Sequence, residues 1–481
     1  MNKIVIVRHG ESIGNAKNII QGRNSDYGLT EKGEKALQKK FHDEIDTFKD
    51  VDKIITSPSK RTIETASILL KEIGKPIPMY FNSNIEELDA GILSGQNKEE
   101  AGNIYPQYYQ IWKNREDLDE IPEAESGEDL QARVIGFLMQ YYDNPHYNDV
   151  IVTHAGFIRC LINTIENRER TQKFNIENGA IFPIEDIFKN MDIEIKARAM
   201  SSKVFIVNTV NGKYVVKLKT GKIKNQDYAE QELLQGLKGS KWPKILSIQG
   251  YADNRYCKII KFVSGKHVYG RLTDEEFNAI IEAEEELRSV LSSIKDEKFP
   301  TKNLKSRLEN IYKEAPNKYI KSIARELLES KYSASFADNE NFVLSHNDLN
   351  RDNILFEQTE QEQVKANIID FEALEYAPQD YQFASMLASG LLLEGESMEK
   401  IKQTIREKGK DIGKILYFMQ IRVLEGLHFF SDPTNPYVSS NKKVAKDLLK
   451  RYFFTSEKIQ REIDKINERK EEERTIWDDI L

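Results

Sequence analysis

Apolar runs in the first half of the chain predict strands that are buried on both faces. Residues 3–7 are the clearest example, and further strands are predicted at residues 51–56 and 149–152. Helices are predicted to follow the last two strands, the first of them beginning close to Pro58. Strands that alternate with helices predict a largely parallel sheet with helices on its faces.

Alternating apolar and polar positions appear at the start of the second half. Residues 202–210, 213–219 and 257–262 alternate in this way and predict a small antiparallel sheet, with a helix from about residue 227. Residues 353–356 and 367–369 are apolar runs on either side of a polar loop, which predicts a hairpin. Near the end, Ile459, Ile463 and Ile466 recur at helical spacing within the charged segment 456–481.

Length and charge narrow the classes of protein to which the chain can belong. At 481 residues it is too long for one ordinary core, so two domains are expected. The net charge of −8 does not indicate a protein that binds nucleic acid. No apolar stretch approaches the ~20 residues that a membrane span needs. Cys160 and Cys257 lack metal or redox spacing, so we expect a protein of the reducing cytoplasm. Its partners are expected to be small molecules, and the sequence leaves its oligomeric state open.

Basic side chains follow each of the predicted strands in the first half. Arg8 and His9 come directly after the first strand, Arg61 lies at a helix start after the second, and His154 follows the third. The carboxyl ends of parallel strands meet at one edge of a sheet, where ligands bind. Arginines pair with phosphoryl oxygens, and an imidazole can attack phosphorus. The pattern therefore predicts phosphoryl transfer through a phosphohistidine.

These residues resemble the histidine phosphatase superfamily, and the resemblance covers nearly all of the first half. It implies an α/β three-layer sandwich of the phosphoglycerate mutase-like type. It also implies that His9 accepts the phosphoryl group while Arg8, Arg61 and His154 hold it. No metal ion is needed for this step, because the arginines supply the positive charge.

The same resemblance assigns further positions around the site. Glu87 has the Glu-x3-Gly-x3-Gly spacing of the family's carboxylate donor, with Glu86 as a nearby competitor, and Asn15 falls at a phosphate-site position. Residues 103–125, rich in tyrosine, look like a small helical lid. Phosphatases and mutases share the phosphohistidine step, and we favour a phosphatase because this half is short.

Polar residues cluster around the predicted hairpin of the second half. His346 and Asp348 are followed by Asn353 in a His-x-Asp-x4-Asn spacing, and Asp370 comes seventeen residues after Asn353. Phosphoryl transfer from ATP to an alcohol needs a carboxylate that accepts the hydroxyl proton and oxygen ligands for Mg²⁺. The spacing predicts Asp348 as the base and Asn353 and Asp370 as the metal ligands.

A strand lysine and a helix glutamate complete this picture. Lys217 lies inside a predicted strand and Glu230 on the helix that follows. Together with the hairpin residues they resemble the aminoglycoside phosphotransferase and choline kinase superfamily. The resemblance implies an α+β two-lobed protein-kinase-like domain in which Lys217 contacts the ATP phosphates and Glu230 is its partner. A glycine that relatives often carry is missing near Met200 and Ser201.

The acceptor is expected to be a small molecule rather than a protein. Asn347 replaces the arginine with which protein kinases bind a phosphorylated activation loop, and few residues separate Asp370 from Pro378. The motifs look most like the choline and ethanolamine kinase branch, although related folds phosphorylate sugars. A helix at residues 417–430 carries Glu425 and His428, which are expected on its core and solvated faces rather than in the acceptor pocket.

We therefore predict two enzyme domains: a histidine phosphatase at residues 1–198 and a small-molecule kinase at 199–481. The kinase is expected to divide into an N-lobe at about 199–265 and a helical C-lobe at about 266–481. The segment between the halves is not rich in Pro or Gly, which predicts a close joint. Acting in sequence, the two sites would remove phosphate from one hydroxyl and place it on another before nucleotidyl activation. The alternatives are two sites that oppose each other on one metabolite, or one half that is a non-catalytic sensing module.

Overall fold

The computed structural model describes residues 2–23, 26–144, 146–198, 202–237, 242–315, 317–336 and 342–478. The chain forms two compact units, residues 1–223 with 244–262 and residues 224–243 with 263–481. In this division the strands expected for the kinase N-lobe belong to the first unit. The boundary between residues 198 and 199 stays a prediction, and Met200 and Ser201, where a glycine was expected, lie outside the described residues.

The first unit consists of two sheets and the helices around them. Its strands and helices within the described ranges are β1 Lys3–Arg8, α1 Ile13–Ala16, α2 Glu31–Asp43, β2 Lys53–Thr56, α3 Lys60–Ile73, β3 Met79–Phe81, α4 Lys98–Ile104, α5 Pro106–Asn114, α6 Gly127–Met139, β4 Asn148–Thr153, α7 Ala155–Ile165, β5 Ile181–Glu185, β6 Asp192–Arg198, β7 Ser202–Thr209, β8 Gly212–Thr220, β9 Ile245–Gly250 and β10 Arg255–Lys261.

The first sheet has the strand order β3-β2-β4-β1-β5, in which only β5 is antiparallel to its neighbour. Alternate side chains of β1 enter different cores. Ile4 and Ile6 pack with residues of α6 and α7, whereas Val5 and Val7 pack with residues of α2 and α3. Helices therefore cover both faces of the sheet, which confirms the predicted three-layer α/β sandwich.

The second sheet is antiparallel throughout and has the order β6-β7-β8-β10-β9. Its apolar face packs on α6, where Ala132, Ile135 and Met139 share a core with Val216 and Ile259. Other α6 side chains belong to the core of the first sheet. Because α6 contributes to both cores, it is apolar on more than one side. The second sheet thus packs directly on a helix that also belongs to the core of the first sheet, within the first unit.

Side-chain hydrogen bonds reinforce the packing at α6. The hydroxyl groups of Tyr214 and Tyr251 donate to Gln131 Oε1 (3.0 Å) and to the carbonyl oxygen of Gly136 (2.6 Å). Buried polar groups need such partners, because an unpaired one loses its hydration without compensation.

The second unit is mostly helical. Its helices and strands within the described ranges are α8 Asn225–Gly236, α9 Asp274–Ser292, α10 Leu304–Glu314, α11 Lys318–Glu329, β11 Phe342–His346, β12 Ile354–Gln358, β13 Val364–Ile368, β14 Leu374–Pro378, α12 Tyr381–Ser385, a π-helix Met386–Leu392, α13 Met398–Glu407, α14 Ile412–Ser431, α15 Pro436–Ser440 and α16 Lys442–Asp478.

Two antiparallel strand pairs, β11 with β14 and β12 with β13, lie within this helical unit. The β12–β13 hairpin confirms the one predicted from its apolar runs. The C-terminal helix is also confirmed over its described part, since α16 buries Ile459 and Ile463. Across the described ranges, no helix combines the length and apolarity required to traverse a bilayer.

Candidate active sites

A pocket of about 350 Å³ lies where β1 and β4 end in the first unit. Arg8, His9, Asn15, Arg61 and Glu87 are among the residues that line it. Arg8 ends β1 and His9 follows it, while the first turn of α3 carries Arg61 from the end of β2. The fold thus brings together side chains that are widely separated in the sequence.

His9 is buried, and the backbone beside it orients its ring. The Nδ1 atom lies 2.8 Å from the carbonyl oxygen of Gly10. A carbonyl only accepts hydrogen bonds, so Nδ1 carries the proton and Nε2 keeps its lone pair. Burial lowers the pKa of His9 well below 6.5, and the charges of Arg61 and Arg8 lower it further. His9 is therefore a neutral imidazole whose Nε2 can act as a nucleophile.

His154 follows β4 and stands beside His9. The two ring centroids are 5.3 Å apart in an edge-to-face arrangement. The Nε2 atom of His154 lies 2.9 Å from Ser57 Oγ. Burial, and then the charge of Arg61, lowers the pKa of His154 well below 6.5. Sequence reasoning gave Ser57 no role, although its place directly after β2 puts it at the same sheet edge.

Backbone carbonyls accept hydrogen bonds from Arg8 and Arg61, two of the arginines that line the pocket. Arg8 Nη1 donates to the carbonyl of Ile176 (2.5 Å), and Arg61 Nη2 donates to the carbonyl of Gly22 (3.2 Å). Burial lowers the pKa of each guanidinium, and the negative charge of Glu87 opposes that shift. Guanidinium groups held in this way are suited to bind phosphoryl oxygens.

Glu87 reaches the start of α7, and this placement separates it from Glu86. Its Oε1 accepts hydrogen bonds from the N–H groups of Leu88 and Gly156, both at 2.9 Å. Glu86 is not among the pocket-lining residues, and its carbonyl oxygen accepts from Arg133 Nη1 (2.9 Å). Between the two competing carboxylates, the geometry favours Glu87 as the one that can meet a ligand.

Asn15 belongs to α1, where it completes a capping box with Ser12. Its Oδ1 accepts from the N–H group (3.1 Å) and from the hydroxyl (2.9 Å) of Ser12. Because the amide oxygen is used in this way, the amide nitrogen is the donor that Asn15 can offer to a ligand.

The outer wall of the pocket is basic. Lys113 and Arg115 line it from α5 and the residue after it, beside Trp112, so part of the predicted lid is helical and faces the pocket. Arg159 lines it from α7, and its Nε is buried with no hydrogen-bond partner among the described residues. Burial lowers the pKa of Arg159 to about 10. The sequence alone gave no reason to assign these cations to a site.

The predicted kinase residues of the second unit converge at one end of the β12–β13 hairpin. Asn353 Nδ2 donates to the carbonyl oxygen (2.8 Å) and to Oδ2 (3.3 Å) of Asp348. The N–H of Ile369 donates to the carbonyl of Asn353 (2.9 Å), which places Asp370 beside them. Hydrogen bonds between neighbouring loops thus hold Asp348, Asn353 and Asp370 together.

His346 connects the same loops from the end of β11. Its Nε2 donates to the carbonyl of Ile369 (3.2 Å), while its Nδ1 accepts from the N–H of Asp348 (3.4 Å). Burial lowers the pKa of His346, so the ring is neutral and holds one tautomer. Its role in the structure is to support the loop.

Asn353 and Asp370 have the chemistry of magnesium ligands. The amide nitrogen of Asn353 is used by Asp348, so its amide oxygen is available as a hard donor. Asp370 adopts a left-handed backbone conformation, φ 63° and ψ 72°, which is uncommon outside glycine and persists where the surroundings impose it. One amide oxygen and one carboxylate match the oxygen preference of Mg²⁺, so these residues fit the ion.

Lys217 lies on the face of the second sheet that points away from α6. Its neighbours Val216 and Leu218 both enter the core with α6, and successive strand residues point to opposite faces. Lys258 of β10 is paired with Lys217 in register and is 1% exposed. The sequence pattern gave no sign that Lys258 is buried beside Lys217. Glu230 is buried on α8 in the second unit, and its pairing with Lys217 stays a prediction.

Comparisons with known proteins identify both halves. Residues 4–187 match the histidine phosphatase superfamily (branch 1), and residues 194–399 match the phosphotransferase enzyme family. A 2,3-bisphosphoglycerate-dependent phosphoglycerate mutase from Cytophaga hutchinsonii is 34% identical over 173 residues, which are 34% of this chain and 76% of that enzyme. One from Bartonella quintana is 32% identical over 213 residues, which are 41% of this chain and 97% of that enzyme.

Among solved structures, the alpha-ribazole phosphatase from Shigella flexneri is similar to this chain with 23% identity and a TM-score of 0.34. The similarity covers 39% of this chain and 92% of that one. The family matches confirm the predicted fold class and show that both halves are enzyme domains. The chain therefore belongs to the histidine phosphatase superfamily through residues 4–187 and carries a phosphotransferase-family domain in residues 194–399.

Proposed function

We propose that the chain is a bifunctional enzyme: a phosphomonoesterase that works through His9, and a kinase that transfers phosphate from ATP to a small-molecule hydroxyl with Asp348 as base. The observation that carries the proposal is that each half assembles its own group of side chains. His9 and His154 meet in the first group, and Asp348, Asn353 and Asp370 meet in the second. The cytoplasmic location expected from the cysteines stays a prediction.

In the proposed hydrolysis, Nε2 of His9 attacks phosphorus, the ester P–O bond breaks, and Glu87 gives a proton to the departing alkoxide oxygen. Water then attacks the phosphohistidine, Glu87 takes back a proton, and inorganic phosphate leaves. The phosphoryl oxygens are bound by Arg8, Arg61 and Asn15, which line the pocket, and by His154, whose ring lies beside that of His9. The positive charge of Arg8 and Arg61 stabilises the charge that develops on these oxygens.

In the proposed kinase reaction, Asp348 accepts the proton of the acceptor hydroxyl as its oxygen attacks the γ-phosphorus, and ADP leaves. Asn353 and Asp370 would hold Mg²⁺, which offsets the negative charge of the nucleotide phosphates when it is bound. Lys217, with Glu230 as its partner, would bind the α- and β-phosphates.

We further propose that the two reactions act in sequence, so that phosphate leaves one hydroxyl and another hydroxyl of the product is phosphorylated. The test uses phosphorylated sugars and alcohols with two variants, Asp348→Ala and His9→Ala. A relay requires that a product released by the Asp348→Ala protein be phosphorylated by the His9→Ala protein. If the Asp348→Ala protein instead hydrolyses the kinase product, the two activities oppose each other on one metabolite.

A mutase is the second candidate for the first half, and two observations favour it. The mutases from Cytophaga hutchinsonii and Bartonella quintana share about a third of their aligned residues with this half. The basic wall of Lys113, Arg115 and Arg159 suits a substrate that carries a second anionic group. Incubation with 3-phosphoglycerate separates the candidates, because a phosphatase releases inorganic phosphate whereas a mutase forms 2-phosphoglycerate.

A further inference from the structure

A largely buried arginine approaches the proposed kinase base from a distant helix. Arg422 of α14 places Nη2 2.9 Å from Oδ1 of Asp348. The Arg422 side chain is 14% exposed, whereas that of Asp348 is 40% exposed and remains open to a ligand. Asn350 Nδ2 donates to the same carboxylate oxygen (3.1 Å), and Asn353 Nδ2 donates to the other (3.3 Å). The base is therefore surrounded by donors.

One turn further along α14, Glu425 collects a second group of donors. It accepts from Lys302 Nζ (3.2 Å), Arg307 Nη1 (3.4 Å) and the hydroxyl of Tyr381 (3.0 Å). Arg307 also binds both carboxylate oxygens of Glu375, each at 2.9 Å. Each of these two carboxylates thus already has a cationic partner, as Asp348 has in Arg422.

This arrangement is unfavourable for an acceptor that carries an ammonium group. In choline and ethanolamine only two carbons separate the hydroxyl from the cation, so a hydroxyl bound at Asp348 would bring the cation near Arg422. An aromatic face could otherwise hold a quaternary ammonium. The Tyr381 ring already has Lys302 Nζ 4.7 Å from its centroid. Like charges repel, and the carboxylates that could compensate are engaged.

The same surroundings favour an acceptor that is rich in oxygen atoms. The Nε of Arg422 is buried with no hydrogen-bond partner within the described ranges, so the guanidinium has unused donor capacity. A hydroxyl or carboxylate oxygen next to the reacting hydroxyl can accept from such a group, and charge-assisted hydrogen bonds of this kind are strong.

Resting on the proposed kinase function, we infer that Arg422 is a specificity residue that excludes cationic acceptors and donates to an oxygen of a polyhydroxy acceptor, neutral or anionic, such as a sugar or sugar acid. Arg422 acts beside the base and binds the acceptor next to its reacting hydroxyl. The motifs favoured an amino alcohol as the acceptor, whereas the position of Arg422 favours a sugar.

The test measures ADP release by the full-length chain with choline and ethanolamine against glycerol, glycerate, ribose, glucose and gluconate. We expect the best oxygen-rich acceptor to exceed both amino alcohols in kcat/KM by about 100-fold or more, since buried polar groups left unpaired can discriminate by up to about 10⁴–10⁵-fold. If choline or ethanolamine is the best acceptor, the inference is wrong. If ADP release that depends on Asp348 is found with none of these compounds, the proposed kinase function itself falls and the inference falls with it.

Two variants of Arg422 and one matched control complete the design. Arg422→Gln is expected to lower kcat/KM for the best oxygen-rich acceptor by about 100-fold, mainly through KM, and to raise kcat/KM for the amino alcohols, because the charge that repels them is removed. Arg422→Lys, which keeps the charge, is expected to retain the exclusion of amino alcohols. Arg451→Gln, a half-exposed arginine on α16, should change neither.

Folding of the variants is checked in the same chain by hydrolysis of an aryl phosphate at the first centre and by the affinity for ATP. A purely structural Arg422 would lower turnover of all acceptors by the same factor, so an unchanged ratio between sugars and amino alcohols in Arg422→Gln overturns the assignment.

Discussion

The two candidate centres handle charge in opposite ways. Seven arginines and lysines line the first pocket against three carboxylates. At the second, Asp348 and Glu425 each have a cationic partner. A surplus of positive charge can bind a phosphoryl group directly, whereas at the balanced centre a metal ion would have to offset the charge of the proposed ATP phosphates. Because the two centres bind phosphate through different side chains, a substitution in one is expected to leave the other active.

The largest effect is expected from His9→Ala. Hydrolysis of p-nitrophenyl phosphate should fall by about 10⁴-fold or more, the scale seen when a nucleophile is removed. The neighbouring His154 cannot replace it, because its Nε2 is engaged with Ser57. ADP release with the best kinase acceptor should stay within twofold of the wild-type rate. A parallel loss of both activities would contradict the separation of the centres.

Asp348→Asn should produce the reciprocal pattern. Removal of the proton acceptor is expected to lower kcat for ADP release by about 10²–10⁴-fold, while aryl phosphate hydrolysis continues. Asp352→Asn is the matched control, since this exposed carboxylate accepts a hydrogen bond from the Tyr269 hydroxyl (2.9 Å) and has no proposed role in the reaction. An equal loss of ADP release in Asp348→Asn and Asp352→Asn would contradict the role of Asp348 as the base.

Ile135→Ala tests the core that the second sheet shares with α6. Ile135 is fully buried there, so truncation should lower the free energy of unfolding by about 2–5 kcal/mol. The exposed Ile104 serves as control, and its change to Ala should cost less than about 0.5 kcal/mol. Denaturant unfolding gives both values, and thermal inactivation of kinase activity should shift with them. An unshifted kinase would mean that its sheet does not depend on α6.

The smallest effect concerns the pH dependence of the first centre. The pKa values of His9 and His154 lie well below 6.5, chiefly because of burial, so kcat/KM for hydrolysis should change little from pH 8 to below 6.5. An acid limb with its midpoint at or above 6.5 would show that His9 titrates as an exposed histidine.

The lowered pKa values of His9 and His154 also determine the direction in which the free energy of unfolding changes with pH. Below pH 6.5 the unfolded chain binds protons on these two histidines that the folded chain does not, down to their lowered pKa values. The free energy of unfolding should therefore fall as the pH is lowered through that window and be unaffected by them above it. Denaturant titrations from pH 8 to pH 5 measure this dependence.

Much of each centre could be predicted because its residues are tied to local patterns. His9 and His154 stand directly after apolar strands, and Asp348 and Asn353 are five residues apart. Arg422, by contrast, lies 74 residues from Asp348. Its helix, α14, has an apolar pattern that predicts core packing and gives no sign of which polar residue meets the base.

The sequence alone determined the families and the three-layer sandwich and predicted the groups around His9 and Asp348, because strand ends and short spacings are properties of the local chain. The tertiary structure alone decided that α6 joins the core of the first sheet to the second sheet, and that Arg422 pairs with Asp348. Such contacts depend on how distant elements dock, and docking is set by the packing of whole surfaces rather than by any one segment.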